Sequence, residues 1–105
     1  MAAAFQLDVV SPEANLWSGE ATFLVARTPV GEIGIMAGHE PTMAVLSRGA
    51  VTVDGVDGAR TTIAVQGGFL QVFKNEVTLI TDRAEIVEGD ADSAREAAEA
   101  MQPEE

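Results

Sequence analysis

The stretch Pro29-Val30-Gly31-Glu32-Ile33-Gly34-Ile35-Met36-Ala37-Gly38-His39-Glu40-Pro41 carries more shape than any other part of the chain. Glycine reaches backbone angles closed to other residues. Proline fixes its own φ and biases the residue before it away from helix. With three glycines between two prolines, the segment is neither a helix nor a plain strand. It reads as a turn, a short extended piece over Glu32 to Met36, and a second turn that holds the sole histidine, His39.

Working outward, Phe5, Leu7 and Val9 alternate with Gln6, Asp8 and Val10, the period of two of a half-buried strand. Ser11-Pro12 ends that strand. Asn15 to Ser18 is a short apolar piece whose Trp17 reads as core. Gly19 reads as a turn, and Thr22 to Arg27 as a second strand. Beyond the glycine segment, Met43 to Ser47 and Ala50 to Val53 are strands parted by Arg48-Gly49. Asp54 to Gly58 holds two Asp-Gly pairs, a hairpin loop rather than a calcium loop, because no glutamate closes a coordination sphere. Arg60 to Val65 returns, and Gly67-Gly68 breaks the chain. Phe69 to Phe73 and Glu76 to Thr81 flank a turn at Lys74-Asn75, and Arg83 to Val87 is a last short strand.

Such spacing predicts a mainly β fold, a flattened β-sandwich of about ten short strands over residues 1–88. The pattern then changes. Ala94, Ala97, Ala98 and Met101 share a helical face, and Ser93 with Glu96 resembles a capping box. Residues 89–105 are therefore expected to form a short C-terminal α-helix.

Composition narrows the function. Six basic residues face seventeen acidic ones, for a net charge of −11. Nucleic acid binding needs clustered Lys and Arg, and none is present. The acidity favours a basic partner if there is one. The absence of cysteine removes disulfides, thiolate metal sites and cysteine nucleophiles. No stretch approaches the ~20 apolar residues of a membrane helix, and Met1 to Phe5 does not read as a signal peptide. No P-loop or dinucleotide fingerprint is present, and no serine lies in a nucleophile elbow. The sequence thus offers no catalytic residues, metal ligands or cofactor site. Lys74 falls at a hairpin tip, as in lipoyl and biotinyl carrier domains, but Phe73-Lys74-Asn75 lacks their flanking pattern. Two roles are open to His39: a turn histidine bonded to backbone, or a contact at a protein interface. Glu32 is a solvated acid by default, yet it lies on a shaped segment, where binding residues concentrate.

Three blocks carry a resemblance. Gly31-Glu32-Ile33-Gly34-Ile35 with Gly38-His39-Glu40-Pro41, Leu7-Asp8-Val9-Val10-Ser11-Pro12-Glu13, and Gly67-Gly68-Phe69-Leu70-Gln71-Val72 followed by Asn75 to Ile80 resemble, in order, motifs of the epsilon subunit of bacterial F-type ATP synthases. The resemblance implies a non-catalytic subunit without cofactors, on the cytoplasmic face of the cell membrane. That subunit belongs to a rotating central stalk and binds the gamma subunit and the c ring. It reaches the membrane only through the complex, and can meet the alpha/beta head through its C-terminal segment. By position in the motif, Glu32, Ile33, Gly34, His39 and Pro41 would contact the c ring and the stalk junction. Asp92 and Arg95 keep the spacing of the family's nucleotide motif, but their flanking residues depart from it. With the sequence ending at Glu105, neither tight ATP binding nor an inhibitory arm is expected. A free-standing acidic adaptor and a carrier domain are the alternatives.

Overall fold

The computed structural model describes residues 3–87; the expected helix, with Asp92 and Arg95, lies outside them. Nine strands form among the described residues: β1 (Phe5–Val10), β2 (Asn15–Thr28), β3 (Gly31–Ile35), β4 (Thr42–Leu46), β5 (Gly49–Gly55), β6 (Arg60–Val65), β7 (Gly68–Phe73), β8 (Glu76–Ile80) and β9 (Ala84–Val87). They belong to one hydrogen-bonded sheet in the order β4-β7-β8-β1-β2-β5-β6-β9, with β3 also on β2.

The sheet becomes a sandwich because β2 serves two layers. Its first half, Asn15 to Ala21, pairs antiparallel with β1. Its second half pairs with β3 over Leu24 to Thr28 and with β5 over Ala21 to Val25. Register shifts fall at Val9/Val10 in the β1 ladder and between Ala21 and Phe23 in the β5 ladder. Such irregularities bend a strand and increase its twist, which lets one strand pass between layers. The expectation of a turn at Gly19 is therefore corrected: Gly19 lies inside a 14-residue strand. The ring of Trp17 lies over it, so that a Cβ there would stand 3.4 Å from the indole. Trp17 is also less buried than expected. It is half-buried, packed against the rim of the core. The glycine signals a site an aromatic ring can cover, not a change of direction.

Alternation on β1 holds as read, with Phe5, Leu7 and Val9 buried. Leu24, Ile35, Ile63, Leu70 and Leu79 join them in one core. Each such side chain contributes about 1.5–3 kcal/mol on burial, which fixes the register of every strand that supplies one. β1 lies inside the sheet, antiparallel to β2 and parallel to β8. The Lys74-Asn75 turn takes φ of 49° and 62°, both positive, as a two-residue hairpin requires. In the Asp54–Gly58 loop, Asp57 Oδ1 accepts from the Ala59 amide at 3.0 Å. Its carboxylate is thus used in shaping the turn, in line with the hairpin reading.

Candidate functional site

Strand β3 places the glycine segment on the surface. Ile33 and Ile35 point inward, Ile35 fully buried and Ile33 packed at the core's edge. Glu32 and Gly34 alternate outward and are exposed. Glu32 faces Arg27 across the β2–β3 ladder, and the Phe23 ring covers Gly34, 3.2 Å from where a Cβ would be. The hairpin tip ahead of it is open, with Val30 98% exposed. An open groove of about 470 Å³ runs from this tip to β4, lined by residues 28–33, Ala44 and Val45.

His39 occupies the other end of β3. Its amide donates to Met36 O at 3.2 Å, closing a turn in which Gly38 takes φ of +85°. Its Nδ1 lies 2.8 Å from Glu40 O. A carbonyl oxygen only accepts, so Nδ1 carries a proton in this contact. Thr42 Oγ1 donates to the same carbonyl at 2.9 Å. Glu32 and His39 are not brought together. Glu32 lies within β3, and His39 lies in the turn that follows the end of that strand at Ile35. Pro41 is exposed beside His39. Of the five expected contact residues, only Ile33 is turned toward the core.

The structure adds a surface that the sequence reading missed. The ladder registers align Val45, Phe69, Ile80 and Val10 in one row across β4, β7, β8 and β1. Met43 and Phe73 lie on the same face, one on the neighbouring row and one at its far end. These are large apolar groups in the open: Met43 is 70% exposed and Phe69 51%. The face is continuous with the groove, since Val45 belongs to both. Pro41 lies one residue beyond Thr42–Val72, the last pair of the β4–β7 ladder, beside the Phe73 end. The face therefore runs between the two features that the glycine segment supplies. A signal was present: Met43-Ala44-Val45-Leu46 is apolar at both parities, and a strand with one wet face alternates.

The described charges are mostly solvated. Arg60 donates to Asp54 through Nε at 2.6 Å and Nη2 at 3.1 Å. That hydrogen bonding, against a smaller desolvation, holds the Asp54 carboxyl below its ordinary value. The pair bridges β5 and β6 and lies away from the apolar face.

Among the described residues, the β-sandwich displays an apolar sheet face and a shaped edge that carries Glu32, the kind of surface through which proteins bind one another. Comparison with known proteins agrees. Residues 4–87 match the family described as ATP synthase, Delta/Epsilon chain, beta-sandwich domain. The ATP synthase epsilon chain of Streptomyces avermitilis is 42% identical over 88 residues, spanning 84% of this chain and 71% of that one. That of Mycobacterium avium is 46% identical over 105 residues, spanning 96% and 85%. A chain in the mitochondrial ATP synthase of Euglena gracilis, solved as OSCP/F1/c-ring, superposes with a TM-score of 0.77 at 27% identity. That match covers 92% of this chain and 62% of the other. The chain belongs to the epsilon-subunit family of bacterial F-type ATP synthases.

Proposed function

We propose that the chain is a non-catalytic element of the central rotating stalk, bridging the gamma subunit and the c ring on the cytoplasmic side of the membrane. In this role it passes on rotation driven by proton flow, and it reaches the membrane only through the complex. The observation that carries the reading is the apolar row Val45, Phe69, Ile80 and Val10 on a sheet face. A lone exposed leucine means nothing, but a contiguous apolar face on a small, highly charged protein marks a protein interface. We assign this face to gamma. Glu32, with Ile33 and Gly34 shaping its strand, would meet the polar loops of the c ring, and His39 and Pro41 would lie at the junction. A carboxylate on a short, rigid strand suits a contact that must bear torque, since little side-chain movement is lost under load.

Calorimetric titration against purified gamma tests this. One-to-one binding is expected for the unaltered chain. Phe69→Asp should lower affinity at least a hundredfold with little change in thermal stability, because the ring is half-exposed and an interfacial charge without a partner is costly. Glu32→Ala should leave gamma affinity unchanged and weaken assembly onto the c ring. A folded chain that does not bind gamma, or binding indifferent to Phe69→Asp, would overturn the assignment.

A further inference from the structure

We infer that Asn75 is a positioning residue for the His39 turn, so that its side chain, and not only its turn conformation, sets how that turn meets a partner. Asn75 Oδ1 accepts from the Gly38 amide at 2.7 Å across 37 residues of sequence. The donor is a backbone N–H, so the acceptor is the amide oxygen and the rotamer is fixed. The same residue's carbonyl accepts from the Gln6 amide at 2.9 Å, which ties it to the centre of the sheet. Asn75 is therefore a rigid post: its backbone is set by the hairpin (φ 62°) and by β1, and its side chain extends to the surface turn.

The turn needs such a post. A Cβ built on Gly38 would meet nothing within 4 Å, so no packing holds that point of the turn. Among the described residues, no other side chain hydrogen-bonds to the backbone of residues 36–38. What remains is the turn's own His39 N–H to Met36 O contact, at 3.2 Å. A turn anchored once from within and once from a sheet-mounted side chain keeps His39 and Pro41 in one place. Without the second anchor, the turn pivots about Gly38. Positive φ alone would explain an asparagine at the second hairpin position. It does not explain why the side chain reaches a different loop.

The inference rests on the stalk reading for its partner, and the test separates the two. Asn75→Gly keeps the positive φ and removes the acceptor; Asn75→Asp keeps both. Amide hydrogen exchange, resolved by NMR, is read at Gly38 and at the core amides of Leu70 and Leu79. Calorimetry is run in parallel against purified gamma assembled with the c ring. In Asn75→Gly, Gly38 exchange should rise about tenfold, on the scale of one hydrogen bond, with the core amides unchanged. Affinity should fall roughly three- to tenfold, and Asn75→Asp should restore both. On a His39→Ala background, Asn75→Gly should cost less affinity than it does alone, since the two act through one turn. Unchanged Gly38 exchange in Asn75→Gly would overturn the inference, and so would raised exchange with unaltered affinity. If the unaltered chain does not bind the assembly, the stalk reading falls with the partner half of the inference. The exchange measurement still decides whether Asn75 holds the turn.

Discussion

Two glycine-rich places look alike in the sequence and differ in the fold. At Gly67-Gly68, both residues take positive φ, +140° and +133°. A Cβ on Gly68 would lie 1.9 Å from Ile80 O and 2.8 Å from Thr81 Cα. That glycine exists because one strand's backbone closes on its neighbour. In the Pro29–Pro41 segment, Gly31 and Gly38 also take positive φ, but a Cβ on either would meet nothing within 4 Å. Those glycines shape a surface. One motif thus serves packing and the other presentation, and the difference lies wholly in what surrounds them.

Substitution by alanine can break that comparison. Gly68→Ala should be worst, losing about 4 kcal/mol or more, because strain and a backbone clash act together and neither strand can move without opening the β7–β8 ladder. Loss of the cooperative transition in urea would show it; a fully stable variant would contradict the packing role. Gly38→Ala should cost about 1–2 kcal/mol, the backbone penalty alone, with unfolding still cooperative. Gly34→Ala should cost under about 1 kcal/mol: its φ is ordinary, and the half-buried Phe23 ring needs to yield only a few tenths of an ångström. If Gly34→Ala and Gly68→Ala proved equal, the distinction would fail.

The Asp54–Gly58 hairpin sharpens the comparison with the smallest effect. Gly58 also takes positive φ in open space, but this turn is closed by carboxylates. The folded pKa of Asp54 is depressed by its hydrogen bonds to Arg60. Its contribution to stability is therefore present above the ordinary value of 3.8 and is lost as pH falls through the folded value. Because Arg60 is well exposed, solvent screens the pair and the effect is slight. Arg60→Ala should lower stability slightly at neutral pH, where the pair contributes, and flatten the stability–pH curve below about pH 4, where that contribution is otherwise lost. A neutral-pH loss as large as that of Gly38→Ala would mean the hairpin depends on the ion pair.

Much of the strand pattern could be read directly. Phe5, Leu7 and Val9 announce β1 by alternation, and Arg60–Val65 forms β6 with the bounds expected. Lys74-Asn75 turns where expected. Gly19 misled because local propensity cannot register that Trp17, two residues back on the same face, will cover it. The candidate site was half legible. Glu32 and Gly34 face outward on a short strand, as a contact edge needs. The apolar row across β4, β7, β8 and β1 and the bond from Gly38 to Asn75 were not visible, because they depend on pairings between distant strands.

By itself, the sequence determined the rough limits of most strands, the positions of most tight turns and the family, since these follow from short-range periodicity, glycine and proline chemistry, and motif spacing. It counted about ten strands where nine form among the described residues, because β2 joins two of the expected pieces. Only the tertiary structure decided which glycines pack and which present, that one long strand joins both layers, and that four apolar side chains from four strands line up in one row on an outer sheet face. Those outcomes depend on register. A shift of one residue in any ladder would send each side chain to the other face, and register is set by the whole core at once.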